Sequence, residues 1–142
     1  MPQGIAFQLA GCCRPVPGDA IVGVVRTGRP VSVHLAECRN VAQMDAESSR
    51  FVDVGWGAID PEAYAAARLS VMVLNRPGAL GTVSTIIGKQ NGNITDVRIG
   101  RRVNDLYEMV LDVEVVDAEQ LLRIKAALRA SDIVVSVERV QS

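Results

Sequence analysis

The sequence predicts an α+β chain in which a small, turn-rich α/β module precedes a βαββαβ unit built on a four-stranded antiparallel sheet. Two observations support this prediction. Residues 1–55 alternate proline- and glycine-rich turns with short apolar runs, which is typical of short strands. Residues 68–142 alternate apolar positions at a period of two with apolar positions at helical spacing, and each change of period marks a new element.

The first module is predicted to hold three strands and one short helix. Turns at Pro17-Gly18 and at Gly28 separate its apolar runs, because proline and glycine favour turn conformations. In chain order, the predicted elements are strands at 21–25 and 31–33, a helix at 37–49 and a strand at 51–54. A connector follows, in which Pro61 breaks regular structure.

The second unit is predicted from clearer signals. Pro77 suits the first turn of a helix, Gly92 suits a left-handed helix end, and Asp117 suits a helix N-cap. The predicted elements are a strand at 68–74, a helix at 77–90, strands at 94–100 and 107–115, a helix after Asp117 and a strand at 133–137. This order is the ferredoxin-like arrangement. We therefore expect a first domain at 1–60, a linker at 61–67 and a second domain at 68–142.

One face of the second unit's sheet is expected to lack a cover. Both helices of the ferredoxin-like arrangement lie on the other face. The open face is predicted to carry Ser70, Met72, Leu74 and Val110, a set too apolar to remain in water. Burial against a second copy or against the first module would solve this, and an isologous homodimer is the simplest solution.

The composition excludes several classes of protein. The formal net charge is −1, and neither half has the positive excess expected of an autonomous nucleic-acid binder. No run of about 18 or more apolar residues exists, so no membrane span is predicted, and the N-terminus lacks the features of a secretory signal. The three cysteines, two of them adjacent, argue against a disulfide framework and predict a reducing, cytoplasmic setting.

Two short motifs of the second unit carry a family resemblance. They are Asn75-Arg76-Pro77-Gly78-Ala79-Leu80 and Gly92-Asn93-Ile94. With the βαββαβ order, they resemble the amino-acid-sensing ACT domain over roughly residues 68–140. The family signature has Gly-x-Asn-Ile at the second strand, and this sequence has one residue fewer after the glycine.

The first module resembles a second known region. Its motifs are Cys-Cys-Arg-Pro-x-Pro-Gly-Asp-x-Ile-x-Gly at 12–23, Gly-x-x-Val-Ser-Val-His-x-x-x-Cys-x-Asn at 28–40 and the run VDVGWG at 52–57. They resemble the small Cys-containing domain, called zinc-finger or ribosome-intersubunit, that precedes the ACT domain in long RelA/SpoT homologues. One departure is Leu35, where that family often has an arginine. The loss of one positive charge weakens an inference of RNA contact at this position.

The resemblance implies a regulatory fragment of a stringent-response (p)ppGpp synthetase/hydrolase. In that family the hydrolase and synthetase domains lie upstream of this region, so this chain is expected not to be an enzyme. The same region meets the ribosome and tRNA in the intact proteins. A ribosome- or rRNA-docking module without small-molecule sensing is therefore the alternative function.

Four residues of the first module are potential zinc ligands: Cys12, Cys13, His34 and Cys38. Zinc favours a tetrahedral set of thiolate and imidazole groups, and all four positions match the family pattern. His34 and Cys38 would converge if their segment were helical, whereas adjacent side chains such as those of Cys12 and Cys13 diverge in a strand. Two alternatives stay open: buried cysteines packing as small apolar residues, and a Cys–His nucleophilic pair, which the resemblance does not support.

The ACT resemblance also predicts a ligand site at the start of the first helix of the second unit. Pro77, Gly78, Ala79 and Leu80 begin that helix, whose free N–H groups suit a carboxylate. Asn75 and Asn93 are expected to lie near each other and to bind the α-ammonium group. In serine-responsive ACT domains of phosphoglycerate dehydrogenase, the residues aligned with these two asparagines contact the ligand.

The identity of the ligand is predicted from position 73. The serine-responsive domains place a histidine there, whereas this sequence has Val73, which cannot satisfy a hydroxyl group. With Leu80 and Ile94, Val73 favours an aliphatic side chain. We expect a branched-chain amino acid, which is valine, isoleucine or leucine. The alternative is that Asn75 and Asn93 serve only as turn and cap residues.

Overall fold

The computed structural model describes residues 6–44, 50–61 and 66–140. The chain forms two compact units that divide between Ala65 and Ala66. Residues 45–49 of the predicted helix and residues 62–65 of the predicted linker lie outside the described residues. The mixed α+β class is confirmed, since each unit has its own four-stranded sheet.

The first unit is a sheet with the strand order β1-β3-β2-β4. Its elements are β1 Phe7–Leu9, β2 Ile21–Val25, β3 Val31–Leu35, α1 Arg39–Ala42, β4 Arg50–Val52 and a 3₁₀ turn at Trp56–Ala58. Strand β1, which the sequence did not predict, pairs in parallel with β3, and the other pairs are antiparallel. Three residues are too few to show a period, so this strand had no sequence signal.

The second unit has the predicted βαββαβ order. Its elements are β5 Ala67–Leu74, α2 Ala79–Lys89, β6 Asn93–Val103, β7 Leu106–Glu114, α3 Ala118–Arg129 and β8 Val134–Arg139. The strand order is β6-β7-β5-β8 and every pair is antiparallel. The helices cover one face of the sheet, whose core is formed by alternate residues of β5 and β7 with one side of each helix. The predicted N-cap of α3 is confirmed, because Asp117 Oδ1 accepts a hydrogen bond of 2.8 Å from the Gln120 N–H group.

The end of α2 corrects one prediction. The left-handed residue is Asn91, with φ = 63°, and not Gly92. The Gly92 and Asn91 N–H groups donate to the carbonyls of Ile87 and Gly88, both at 3.0 Å, which is the Schellman arrangement. Glycine is needed at position 92 for space, since a Cβ there would lie 2.8 Å from side-chain atoms of Ile87 and Ile124.

The alternation of side chains in β8 is interrupted. Ile133, Val135 and Val137 alternate in the sequence and would share one face of an unbroken strand, but the pairing with β5 shifts between Met72 and Val73. Val137 is buried, whereas Val135 is exposed. An extra residue in one strand reverses the direction of the side chains beyond it.

The open face of the second sheet is more polar than the sequence suggested. Arg68 donates to both carboxylate oxygens of Asp112, at 2.8 and 3.1 Å, and the Ser70 hydroxyl donates to Glu108 at 2.5 Å. The strand register places these four side chains on the same face as Val110. Within the described residues, no helix is long and apolar enough to cross a membrane.

Candidate functional sites

The four predicted zinc ligands come together in the first unit. The Sγ atoms of Cys12, Cys13 and Cys38 and a ring nitrogen of His34 all lie within 4.8 Å of one another. All are buried except Cys12, which is half-buried. Two turns and one strand, far apart in sequence, therefore converge on a single point.

A tight turn explains how two adjacent cysteines face the same point. Cys12 and Cys13 lie in a turn rather than in a strand, and the Arg14 N–H group closes it by donating to the Ala10 carbonyl at 3.0 Å. Arg14 itself has a left-handed φ of 51°. Adjacent side chains point to opposite sides only in extended backbone. The sequence argument that the side chains of Cys12 and Cys13 diverge therefore does not apply to this turn.

The other two ligands converge by a different route from the predicted helical turn. His34 lies on β3, and Cys38 immediately precedes α1. Between them the chain reverses, and the Cys38 N–H group donates to the Leu35 carbonyl at 2.9 Å. The predicted convergence is present, but a strand followed by a turn produces it.

The distances within the cluster fit a tetrahedral zinc ion. Zn–S bonds of about 2.3 Å and Zn–N bonds of about 2.0–2.1 Å imply edges of about 3.8 Å between two sulfurs and about 3.5 Å between sulfur and nitrogen. Cys12 Sγ lies 3.6 Å from Cys38 Sγ and 3.5 Å from His34 Nδ1. Cys13 Sγ lies 4.0 Å from Cys12 Sγ and 3.9 Å from His34 Nδ1. The donor set and its spacing therefore suit zinc without rearrangement of the backbone.

Neighbouring groups hold the ligands in this arrangement. His34 Nε2 lies 3.0 Å from Ser32 Oγ, so a histidine that uses Nδ1 for the metal donates its remaining N–H to Ser32, as zinc-bound histidines commonly do to a nearby oxygen. The Leu35 N–H group donates to Cys13 Sγ at 3.3 Å. Sequence reasoning missed both groups, although Ser32 stands two positions before His34 on the same strand face.

The electrostatics of the cluster favour a bound cation. Burial raises the pKa of Cys13 to about 12, so its thiolate is costly unless a positive charge lies beside it. Burial opposes the Cys38 thiolate too, but donation from the Val41 and Asn40 N–H groups and from the neighbouring thiols holds its pKa below the ordinary value. Burial, together with the charge of Arg26, lowers the pKa of His34, which keeps the imidazole neutral as a metal ligand requires.

A groove opens beside the cluster. It has a volume of about 470 Å³, and Cys12 and His34 form part of its wall together with Gln8, Arg26 and Asn40. A second cavity of about 390 Å³ shares Gln8, Arg26 and Ser32 and adds Arg29. Solvent and small molecules therefore meet the cluster on the side of Cys12, next to an arginine.

The predicted ligand turn lies between β5 and α2. Gly78 has a left-handed φ of 82° and precedes the first residue of the helix. The Ala79 N–H group donates to the Arg76 carbonyl at 3.2 Å and is therefore used within the turn. Leu80 and Gly81 come next, and their N–H groups have no partner in the described part of the chain. Val73 and Ala79 are buried, whereas Leu80 is 43% exposed and offers aliphatic surface at the turn.

Asn75 is anchored to the loop between β6 and β7. Its backbone N–H donates to the Asp105 carbonyl at 2.7 Å, and Arg76 forms an exposed ion pair of 3.2 Å with the Asp105 carboxylate. The side chain of Asn75 is exposed. The turn is thus fixed through its backbone, and the amide group points away from the core.

The strand register contradicts the expectation that Asn75 and Asn93 lie near each other. Leu74, next to Asn75, is level with Leu106 and Val103, whereas Asn93 pairs with Glu114 at the opposite end of the sheet. At about 3.3 Å per strand residue, the separation is roughly 20 Å or more. The sequence reasoning overlooked that β5 and β6 run parallel, with β7 between them. Ile94, beside Asn93, is half-buried at the distant end.

Asn93 has a partner that the sequence did not reveal. Its side-chain amide donates to the Glu114 carboxylate at 2.7 Å, which leaves the amide oxygen as an acceptor. The carboxylate and the amide oxygen together suit an ammonium group. Glu114 could only have been found from the pairing of β6 with β7.

Comparison with known families identifies both units. The ACT domain family matches residues 62–139. The chain belongs to the ACT domain family. The RelA/SpoT RIS domain matches residues 1–57, so the Cys/His cluster lies in a RIS unit and the α2 turn lies in an ACT unit. The predicted resemblance to the C-terminal region of RelA/SpoT homologues is confirmed.

Relatives of the whole chain are similar at moderate identity. GTP pyrophosphokinase rsh of Brucella abortus is 34% identical over 88% of this chain and 17% of its own length. GTP pyrophosphokinase of Streptomyces coelicolor is 32% identical over 99% of this chain and 16% of its own length. The bifunctional (p)ppGpp synthase/hydrolase SpoT of Escherichia coli is 26% identical over 96% and 19% respectively. The chain thus spans about a sixth to a fifth of these relatives.

Among solved structures, the ACT domain from GTP pyrophosphokinase of Chlorobium tepidum is similar to part of this chain. The alignment has a TM-score of 0.47 and 20% sequence identity, and it covers 54% of this chain and 97% of that chain.

Proposed function

We propose that this chain is the regulatory region of a (p)ppGpp synthetase/hydrolase, in which the ACT unit binds a branched-chain amino acid and modulates catalytic domains elsewhere in the protein. The observation that carries the proposal is the turn at Gly78. The N–H groups of Leu80 and Gly81 are available there to a carboxylate, and the exposed Leu80 side chain lies beside them. Valine, isoleucine and leucine each have a carboxylate that these N–H groups could bind and an aliphatic side chain that could pack against Leu80.

The site is completed by a second copy of the chain. Because Asn93 and Glu114 lie at the far end of the sheet from the turn, one copy cannot bring both ends to a single small ligand. Strand β6 lies at the edge of the sheet and is free to pair with another strand. If two β6 strands pair in antiparallel fashion, each copy's Asn93 moves to the end of the sheet that holds the other copy's turn.

The side chains of β6 support this pairing. A register centred on Val97 sets Asp96 of each copy opposite Arg98 of the other, so that two interchain ion pairs form across the twofold axis. Val97 and Ile99 are exposed apolar residues on this strand, and pairing would cover them. The edge strand therefore replaces the open face as the proposed dimer contact, since ion pairs and hydrogen bonds already satisfy much of that face.

Titration calorimetry tests the proposal. Valine or isoleucine should bind at least about ten-fold more tightly than serine, because a buried aliphatic side chain contributes about 1.5–3 kcal/mol and the exposed Leu80 side chain cannot hydrogen-bond a hydroxyl group. Light scattering at tens of micromolar protein should give a dimer mass in the presence of valine. Equal binding of serine and valine would contradict the ligand class, and a monomer mass with valine bound would contradict the shared site.

The RIS unit is proposed to hold one structural zinc ion through Cys12, Cys13, His34 and Cys38. The near-tetrahedral spacing of these groups supports this proposal. Protein purified without chelators should contain about one zinc per chain, the stoichiometry of one closed tetrahedral site. Metal-free protein with an unchanged melting temperature would show that the cluster packs without a metal.

A docking surface for ribosomal RNA is the second candidate function, favoured by the two neighbouring cavities that Arg26 lines. In the intact protein, the partners would be the ribosome and tRNA. Phosphate-led binding should weaken steeply as salt rises, and filter binding to ribosomes over a salt series measures this directly. Arg26→Ala should make the affinity fall less steeply with salt concentration. An affinity that does not depend on salt would contradict phosphate contacts.

The domain limits and the lack of catalysis complete the proposal. We retain domains at 1–60 and 68–142 with a linker at 61–67, and a reducing cytoplasmic setting suits the free cysteines. Assays of (p)ppGpp synthesis and hydrolysis on this chain alone should give no turnover. Detectable turnover would make the chain an enzyme in its own right.

A further inference from the structure

The three cysteines of the RIS unit differ in their access to solvent. Cys13 is 0% exposed and Cys38 is 1% exposed, whereas Cys12 is half-buried. Among the three, only Cys12 lines the groove of about 470 Å³. A small electrophile that enters the groove therefore reaches the sulfur of Cys12 first.

Cys12 also has a second thiol within reach. Its Sγ atom lies 3.6 Å from Cys38 Sγ, and a disulfide needs the two sulfurs at about 2.05 Å. The difference is within the range of side-chain rotation. The sulfur of Cys13 is farther away, at 4.0 Å, and a bridge between adjacent residues would close a strained eight-membered ring.

From this geometry we propose that Cys12 is an oxidation site: a hydroperoxide oxidises Cys12 from the groove, and Cys38 then closes a Cys12–Cys38 disulfide. The burial of Cys13 removes it from direct attack. Its sulfur is also held by the Leu35 N–H group at 3.3 Å. Cys13 is thus retained as a thiol while the other two are joined.

The reaction balances with hydrogen peroxide as the oxidant. The Cys12 sulfur attacks one peroxide oxygen, the O–O bond breaks, and the products are a sulfenic acid on Cys12 and one water. The Cys38 sulfur then attacks Cys12 Sγ, the S–O bond breaks, and the hydroxyl leaves with a proton as a second water. The two thiols together lose two protons and two electrons, and one peroxide takes them up and becomes two waters.

The disulfide would also change the metal-binding capacity of the cluster. Joining Cys12 to Cys38 leaves Cys13 and His34, and two donors do not close a tetrahedron. We expect a zinc-loaded chain to release its zinc on oxidation. The disulfide itself rests only on the distances between sulfurs and on the groove, so it does not require the proposed zinc site to be occupied.

The test compares metal-free and zinc-loaded forms of the whole chain. Each is treated with hydrogen peroxide, and intact mass, peptide maps and free zinc are measured. Trypsin separates the two cysteines by cleaving after Arg26, so the bridge appears as a linked peptide pair under non-reducing conditions. Fragmentation between Cys12 and Cys13 assigns the linked sulfur. Circular dichroism confirms that each variant is folded before oxidation.

We expect a loss of two hydrogens per chain, a Cys12–Cys38 link in both forms, and stoichiometric zinc release from the loaded form only. Cys12→Ser should abolish the link, whereas Cys13→Ala, where folded, should retain it. A link that uses Cys13, a Cys12 that is over-oxidised without a link, or first oxidation of Cys38 would each overturn the proposal. A chain that binds no zinc yet forms the link would overturn the metal site alone.

Discussion

The two units of this chain assemble their sites in opposite ways. In the RIS unit, four ligands from two turns and a strand meet within 4.8 Å in a single copy. In the ACT unit, the turn at Gly78 and the Asn93–Glu114 pair occupy opposite ends of one sheet. The Cys/His cluster is assembled within one chain, whereas the proposed amino-acid site would need another copy.

The difference comes from the structural element that determines each distance. Short turns place Cys12 beside Cys13 and carry the chain from His34 to Cys38, and the pairing of β1 with β3 brings the two segments together within one copy. In the ACT unit, β5 and β6 run parallel on either side of β7. Two strands that run parallel in one sheet place the end of one far from the start of the other, so Asn75 and Asn93 cannot approach within one copy.

Removal of a metal ligand should have the largest effect. His34→Ala deletes one of four donors and should lower the melting temperature of the RIS unit strongly, because structural zinc contributes directly to folding free energy. The ACT unit should melt as before. Calorimetry combined with hydrogen exchange distinguishes the two units.

A matched control for this change is Glu37→Ala, an exposed residue in the same connection between β3 and α1. Glu37→Ala should leave the melting temperatures of the RIS unit and the ACT unit unchanged. Chelation of the unaltered chain should reproduce the effect of His34→Ala. If His34→Ala and Glu37→Ala melt alike, the cluster does not depend on a metal, and the two units differ less than proposed.

A mixing experiment tests the shared ACT site and should have the next largest effect. Asn75→Ala and Asn93→Ala should each weaken valine binding by about 1.5–3 kcal/mol, the usual contribution of a hydrogen bond to a charged group. When the two variants are mixed, half of the dimers should be mixed, and each of these regains one intact site. About a quarter of all sites should therefore bind valine normally, since the dimer is symmetric.

Calorimetry of the mixture measures this recovery, and each variant alone serves as the control. Recovery requires that the two residues act across a dimer contact. A mixture that binds no better than its components would mean that the site lies within one copy and that one of the asparagines is only a turn or cap residue.

The sequence predicted the order of elements because alternation and helical spacing are local properties. Leu69, Val71 and Val73 alternate along the strand predicted at 68–74, and all three are buried on one face of β5. The Asp117 cap was correct because capping is also a local property. The four cluster residues were identified by residue type and family pattern. Their convergence required the structure, since a pattern does not reveal that residues 11–13 form a turn.

The sequence did not predict which residues of neighbouring strands lie opposite each other. The period of two assigns a residue to a face but does not say which residue of the neighbouring strand lies opposite it. Asn93 therefore could not be paired with Glu114, and its distance from Asn75 was misjudged. The shift in the pairing of β5 with β8 between Met72 and Val73, which exposes Val135, was not predicted for the same reason.

A substitution at Gly92 tests how firmly the far end of the ACT sheet is held. Gly92→Ala should destabilise the ACT unit by about 1–3 kcal/mol, the usual cost of overpacking, because the new Cβ would lie 2.8 Å from side-chain atoms of Ile87 and Ile124. Gly88→Ala is the matched control, since a Cβ there meets nothing within 4 Å, and alanine favours a helix. Urea unfolding that shows equal stability for both variants would contradict the packing at Gly92.

The smallest expected effect concerns acid pH and the open face of the ACT sheet. Donation from the Ser70 hydroxyl, more than the neighbouring charge of Arg101, lowers the pKa of Glu108 below its ordinary value near 4.5. A carboxylate whose pKa is depressed on folding contributes stability above its unfolded pKa and loses it as pH falls through the folded pKa. The ACT unit should therefore lose stability below about pH 4.5, and Ser70→Ala should reduce that loss.

The same variant decides whether the open face or the β6 edge forms the dimer contact. If the open face is solvent-exposed in the dimer, Ser70→Ala changes the pH dependence of unfolding by a few tenths of a kcal/mol up to about 1, as expected for one hydrogen bond, and leaves the dimerisation constant unchanged. Arg98→Asp should instead weaken dimerisation, because it sets two acidic side chains against each other at the proposed twofold axis. Sedimentation at several protein concentrations measures the dimerisation constant of each variant. Weaker association of Ser70→Ala, with Arg98→Asp unaffected, would move the contact to the open face and would leave Asn93 without a route to the turn of the other copy.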